Sequence, residues 1–325
     1  MKLRRRQFQE LAAGALALHA VSRGAGAQTY PAQPVRLVVG FAAGQAIDIL
    51  ARLIGQSLAE QFSQQFIVEN KPGAGGNIAT EAVARAPADG YSLMVIGANN
   101  PINSTLYDKL GFDLLRDFAA VAGIYRVYQV MVVNPVFPAR TVPEFIAYAK
   151  ANPGKINMTS TGTGNLTHFS GELFKMLAGV DMVHVPAHGE MEAQIDLLAG
   201  RAQVMFDPIV STLGYVQTGK LRALGVTTAN RIETLPDVPT IGQFVPGYEV
   251  DALLGIGAAK GTPKDVVEYL NTQINAGLAD PAIKQRLVGL GFVPMAVSQA
   301  QFGKYMTDEV EKWAKVVKFA GVKLE

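Results

Sequence analysis

The chain has 325 residues, 49% of them hydrophobic, no cysteine and a formal net charge of +2. Without cysteine there can be no disulfide, so stability must come from packing, and the length is enough for two domains with real cores. The positive charge belongs to the first 27 residues, which hold Lys2, Arg4, Arg5, Arg6 and Arg23 against Glu10; the 298 residues after them carry 24 basic and 26 acidic side chains. No basic stripe remains, which argues against a nucleic-acid partner.

Residues 1–27 read as an export signal rather than a fold element. A basic start is followed by a short apolar core, Leu11–Val21, and by Ala25-Gly26-Ala27 as a small-x-small cleavage site before Gln28. The core is too short to span a bilayer, and no later segment is long and apolar enough to do so. Arg5-Arg6-Gln7-Phe8 resembles a twin-arginine signal, and an ordinary secretory signal fits as well. Either route places the mature protein in the periplasm, as a soluble chain.

Strand and helix patterns then alternate. The sequence predicts a strand over 35–40, a small-residue loop Phe41-Ala42-Ala43-Gly44-Gln45-Ala46, and an amphipathic helix over 47–62. A strand over 66–70 precedes the loop Gly73-Ala74-Gly75-Gly76 and a helix over 77–86, and 91–96 reads as a buried strand. Next come a strand over 129–133 and a helix over 142–151. The first grammar then returns: strand 155–160, loop Thr161-Gly162-Thr163-Gly164-Asn165, helix 166–177. Strands over 182–185 and 204–206 flank a helix over 191–199. A strand over 222–226, a Pro-rich loop over 235–240, an extended 248–258 and helices over 264–278 and 299–320 complete the chain. Such alternation implies an α/β protein with mainly parallel sheets flanked by helices.

The repeated grammar carries the functional signal. A small-residue loop lets the backbone approach a ligand, and the helix behind it aims unpaired N–H groups and a partial positive charge at that ligand. Two such mouths suggest one anion held from two sides, beyond the carboxyl ends of the strands. Neither is a P-loop, and Gly162-x-Gly164-x-x-Thr167 lacks the last glycine of a dinucleotide fingerprint. No cofactor is expected.

Other polar residues have plainer readings. Asp48, in the first turn of its helix, either offsets the dipole or bonds a ligand group directly. His168, His184 and His188 would need to converge with Asp207 to hold a metal, and Pro186 stands between the last two histidines; no metal is expected. His168 points at the cleft or caps locally, His184 is a core histidine, and His188 is a cleft residue. Ser160 and Ser170 show no paired base, there is no G-x-S-x-G elbow, and nothing in the spacing of Asp48 and Asp207 demands a carboxylate pair, so an enzyme is not expected.

Read together, these segments resemble the Bordetella uptake gene (Bug) family, the substrate-binding proteins of tripartite tricarboxylate transporters. The resemblance runs over nearly all of the mature chain. It rests on Tyr30-Pro31, Val68-Glu-Asn-Lys-Pro-Gly-Ala-Gly-Gly-Asn77, Asp89-Gly-Tyr-Ser-Leu93 and Ala149-Lys-Ala-Asn-Pro-Gly154. It continues through Thr159-Ser-Thr-Gly-Thr-Gly164 with His168, Val183-His-Val-Pro186, Arg222-Ala-Leu-Gly-Val226, Leu235-Pro-Asp-Val-Pro-Thr240 and Gly261-Thr-Pro263. The resemblance implies a two-domain periplasmic binding protein, a "Venus flytrap" with a crossing-strand hinge near Tyr128 and Val250. Domain one would be residues 28–128 with 250–325, and domain two residues 129–249. It implies a monomer that captures a small carboxylate and delivers it to membrane permease subunits. A sensory or scavenging carboxylate receptor and a carboxyl-ester hydrolase are the alternatives.

The ligand-binding set expected on this basis adds Asn99, Ser160, Ala187, His188, Phe206 and Asp207 to the two loops, Asp48 and His168. Two departures from the family pattern matter. Its first mouth usually begins Pro-Gly-Gly, where this chain has Ala42-Ala43-Gly44-Gln45-Ala46-Ile47-Asp48. After His-Val-Pro the family commonly has Tyr-Lys-Gly, where this chain has Ala187-His188-Gly189, then Glu190 and Glu192. An aromatic wall and a lysine are lost, and two acids follow that disfavour an anion unless they face away. These changes point to a bulkier, aromatic or partly neutral carboxylate.

Overall fold

The computed structural model describes residues 30–289 and 292–324; the export-signal reading of residues 1–27 lies outside them. In chain order the elements begin with β1 (Val35–Val39), α1 (Ala46–Phe62), β2 (Phe66–Asn70), α2 (Asn77–Ala84), β3 (Ser92–Ile96), α3 (Asn99–Leu106) and α4 (Leu114–Asp117). The long β4 (Phe118–Val133) leads to α5 (Val142–Ala151), β5 (Asn157–Ser160), α6 (Leu166–Ala178), β6 (Val183–Pro186), α7 (Glu190–Leu198), β7 (Val204–Pro208), α8 (Ile209–Gln217) and β8 (Arg222–Val226). Last come β9 (Asp251–Ala259), α9 (Lys264–Ala279), α10 (Pro281–Gly289), β10 (Val293–Val297) and α11 (Gln299–Ala320). Among the described residues, no helix is long and apolar enough to cross a membrane.

The strands run in the order β2-β1-β3-β9-β4-β7-β5-β6, with β8 and β10 also pairing with β4. The outer strands pair in parallel, β1 with β2 and β3, and β5 with β6 and β7. Each is followed by a helix that returns the chain across a face, as parallel pairing requires. The middle is different. β4 and β9 run antiparallel to each other and to their neighbours. β4 pairs with β9 as far as Tyr128↔Asp251, then with β7 and β8 from Gln129↔Pro208 and Val130↔Val226 onward. One strand thus belongs to both halves of the sheet.

Buried side chains gather on both halves. Val35, Leu37, Leu50, Leu93 and Ile256 pack around β1, β3 and β9. Met131, Phe145, Phe169, Phe174, Phe206 and Tyr248 pack around β4, β5 and β7. The helix α11 joins the second set to a third, which lies around Val38, Ala79 and Met94. Ser298 opens this helix with a capping box, accepting from the Gln301 N–H while Gln301 accepts from the Ser298 N–H at 2.9 Å. Phe302 and Met306 near its start pack with Val38, Ala79 and Met94. Trp313, Val316 and Val317 near its end pack with Phe169 and Phe174 instead.

Several elements escape the sequence pattern. The first part of β4, Phe118-Ala-Ala-Val-Ala-Gly-Ile-Tyr-Arg-Val-Tyr128, is rich in Ala and Gly, which are weak strand formers. Gly123 is needed there because a Cβ would strike Val297 at 2.3 Å. α3 is built from Asn99-Asn-Pro-Ile-Asn-Ser-Thr-Leu106, a poor helix on propensity, and holds through buried side-chain bonds. Asn100 Nδ2 donates to Thr80 Oγ1 and Asn103 Nδ2 to Asn77 Oδ1, at 2.9 and 2.8 Å.

Candidate functional site

The carboxyl ends of β1, β3, β5 and β7 and the middle of β4 converge on a cavity of about 740 Å³. Phe41, Gln45 and Ala46 line it from the first mouth and Thr161–Asn165 from the second. Asn99 joins from the start of α3.

The first mouth is held by one carboxylate. Asp48 is buried, and its Oδ2 accepts the Gly44 N–H at 2.8 Å and Arg52 Nε at 3.0 Å. Its Oδ1 accepts Arg52 Nη2 and Asn70 Nδ2, both at 2.9 Å, and Asn70 also donates to the Phe41 carbonyl at 3.0 Å. Burial works against the charge. The bonds from Arg52, Gly44 and Asn70 outweigh it and hold the carboxyl down at about 2. Asp48 therefore shapes the loop and stands off the cavity wall. Gly44 sits at φ 86°, a conformation that suits glycine. Gln45 is the N-cap of α1 and makes no side-chain cap.

The second mouth is tied more heavily. The N–H of Thr161 donates to Thr167 Oγ1 at 2.9 Å and that of Gly164 to His168 Nδ1 at 3.2 Å. Asn165 caps α6 by accepting the His168 N–H at 3.2 Å, while its Nδ2 donates to Thr161 Oγ1 at 2.7 Å. His168 is buried and stacks on His184 with ring centroids 3.6 Å apart. Burial pushes His168 down to about 3 and His184 to about 4, with the neighbouring histidine and Lys175 adding to the effect on His168. Both are neutral at physiological pH. His168 supports the loop from behind and does not reach the cavity.

What each mouth leaves for a ligand is the first helical turn. Among the described residues, the N–H groups of Ala46 and Ile47, and of Leu166 and Thr167, have no protein acceptor. They lie at the positive ends of α1 and α6, where an anion is favoured.

Other expected residues lie elsewhere. Ala42, Ala43 and Gly44 form the exposed rim of the first loop. Phe206 is wholly buried against Phe174 and Tyr248, because its strand faces the core at that position. Ala187 is buried with Ala193 and Leu197, and its N–H is bonded to the Ser160 carbonyl at 3.0 Å. His188 is exposed, with its N–H on Glu192 Oε2 at 2.7 Å. Asp207 is 0% exposed; its Oδ2 accepts from Gln194 at 2.8 Å and from Thr212. Burial pushes it up to about 7, helped by the charge of Glu190 and opposed by those two bonds.

Ser160 does meet a histidine, which the sequence did not reveal: its Oγ lies 2.7 Å from His184 Nε2. Yet Ser160 is fully buried off the cavity, and its hydroxyl donates to the Gly162 carbonyl at 2.9 Å. His184 then acts as donor to Oγ, the reverse of a base activating a nucleophile. Among the described residues, no three His, Asp or Glu side chains converge as metal ligands.

The cavity also has walls outside the ligand-binding set expected from the sequence: Gly75, Asn103, Leu106, Tyr107, Val127, Gln129, Leu166, Thr167, Gly189, Glu190, Pro208 and Leu324. Gly75 had a legible signal, since Gly73–Gly76 repeats the strand, small loop, helix grammar of the two mouths. Leu324 had none; it arrives because its N–H bonds the Leu106 carbonyl at 3.0 Å.

The comparison with known families decides the kinship: the profile of the tripartite tricarboxylate transporter family receptor, TctC, matches residues 50–322. The chain belongs to the TctC family. Protein BugT of Bordetella pertussis is 30% identical over 302 residues, covering 92% of this chain and 93% of its own. The structure of R. palustris Rpa4515 with adipate is 35% identical with a TM-score of 0.76, covering 90% of this chain and 99% of that one. MatC from Rhodopseudomonas palustris, with bound malate, is 30% identical with a TM-score of 0.74, covering 89% and 100%. The Bug resemblance and the binding-protein fold stand. TctC proteins are receptors, so the ester-hydrolase alternative falls away.

Proposed function

We propose that this protein is a periplasmic receptor that captures a small carboxylate between the 41–46 and 161–165 mouths. The observation that carries this reading is that two helix N-termini, each with unpaired first-turn N–H groups, open on one cavity. Relatives solved with adipate and malate support the ligand class. Export by the N-terminal signal and delivery to permease subunits of a tripartite transporter complete the reading.

Energetics call for closure. A carboxylate at a helix N-terminus gains about 0.3–1 kcal/mol, up to about 2 when partly buried. Micromolar capture needs about −8 kcal/mol. The difference comes from charge-assisted N–H bonds in a cleft that has shed its water, which requires both mouths at once. Residues 30–128 with 250–324, and 129–249, are the bodies that close, and β4 and β9 are the crossing strands. The partner exchange of β4 at Tyr128 and Gln129 supports that division.

The test is a thermal-shift screen against mono-, di- and tricarboxylates, aromatic acids and amino acids, followed by small-angle scattering. A carboxylate should raise Tm by mass action and reduce the scattering radius at saturation. If no carboxylate shifts Tm, the reading fails; a shift without compaction refutes closure alone.

A further inference from the structure

The cavity is equipped for an anion by backbone N–H groups and helix ends, yet its only charged lining side chain among the described residues is itself a carboxylate, Glu190. No lysine, arginine or histidine stands on the wall to balance it. Glu190 is the first residue of α7, behind Gly189 at φ 125°. A carboxylate there offsets the dipole of its own helix. That accounts for a charge near the helix end, but not for the burial of its Oε1.

The neighbouring acid shows the difference. Glu192 has a structural task, since its Oε2 accepts the His188 N–H. Glu190 Oε1 is buried and has no partner among the described residues. Asp207 repeats the pattern: it is 0% exposed, its Oδ2 takes Gln194 and Thr212, and its Oδ1 has no partner. The two carboxyls are close enough for the charge of Glu190 to act on Asp207. An acceptor oxygen buried without a donor is costly. At Glu190, which lines the cavity, that cost falls if the ligand brings a positively charged donor to this wall.

A dicarboxylate does the opposite. With one carboxylate on the mouth N–H groups, its second charge would face Glu190 within the same cavity, where like charges repel once the cleft has shed its water. We propose that the ligand is an amino carboxylate, its carboxylate held by the mouth N–H groups and its ammonium set against Glu190. This rests on the carboxylate-receptor reading and narrows it.

The test uses chain-matched pairs in which an ammonium nitrogen replaces a carboxyl carbon: β-alanine against succinate, γ-aminobutyrate against glutarate, and δ-aminovalerate against adipate. Titration calorimetry on protein purified from periplasmic extract should show the amino acid of at least one pair binding about tenfold or more tightly than its dicarboxylate. Glu190→Gln should erase that preference by about tenfold while retaining the wild-type circular dichroism, and Glu192→Gln should leave it unchanged. Dicarboxylates binding as tightly as their partners, or a preference that survives Glu190→Gln, would overturn the proposal. If none of the six acids binds, this inference is wrong; the receptor reading falls with it only if the wider carboxylate screen is also empty.

Discussion

The two mouths share one grammar but are secured differently. The second is knotted from within: Thr167, Asn165, His168 and Ser160 each take or give a bond to the 161–165 loop. The first hangs from one carboxylate, Asp48, and the amide of Asn70, while Ala42–Ala46 stay exposed. One jaw is a finished surface and the other a loop on a single tether. The lesson is that helix ends which look alike in sequence can be secured very differently, with most of the side-chain bonds concentrated behind one of them.

That contrast can be broken by substitution. His168→Ala should have the largest effect, removing a buried ring and the acceptor of the Gly164 N–H, for about 3 kcal/mol of lost stability in urea unfolding. A loss below about 1 kcal/mol would show that the second mouth does not depend on its knot. Asp48→Ala should cost less, about 2 kcal/mol, because Arg52 can return to solvent. It should also weaken carboxylate binding, since the first loop loses its tether; unchanged affinity would show that the loop holds its shape without it.

A further effect is visible only against pH. The folded Asp207 keeps its proton up to about 7, whereas the unfolded one releases it near 3.8. The folded state therefore binds more protons in that window, and stability from this group is lost as pH rises through it. His168 and His184 have the opposite sign: unfolded histidines take protons below 6.5 that the folded ones refuse until about 3 and 4, so their contribution fades as pH falls. Asp207→Asn keeps an acceptor for Gln194 and Thr212 but cannot ionise. Its Tm relative to the parent protein should climb from pH 5 to about pH 7 and level off above that. A constant difference across that range would refute the assignment.

The smallest change in stability belongs to Gln45→Ala, within about 0.5 kcal/mol, because the side chain is exposed and caps nothing. Its carboxylate affinity should still move several-fold, since Gln45 stands on the cavity wall. No change in affinity would remove the first mouth's side chains from recognition.

Much of this was legible in the sequence where pattern and environment agree. The helices Val142–Ala151 and Gln299–Ala320 and the strands Phe66–Asn70 and Arg222–Val226 carry strong periodicity and clear boundaries, and they form where expected. Both loops reach the cavity because a small-residue run after a strand has few other places to go. The failures share another cause. His168 and Asp48 look like ligand groups because both lie in a first helical turn, but whether such a side chain faces outward or back toward the loop depends on tertiary neighbours. Glu190 was visible as a charge, not as a wall. α8, with the β-branched Ile209-Val210 start, β10 and the first part of β4 are set by packing against the long central strands, and α10 by packing against α9 and β10, rather than by their own propensity.

The first-turn N–H groups at both mouths have a consequence for how such a receptor can change. A main-chain donor has no codon of its own, so no substitution short of proline deletes it. Alanine scanning across Ala46, Ile47, Leu166 and Thr167 would leave the mouth donors in place while altering the chemistry around them. On the proposed reading, capture of a carboxylate and choice among carboxylates would be inherited separately: the first through the path of the backbone, the second through side chains such as Gln45 and Glu190 that mutation can exchange freely.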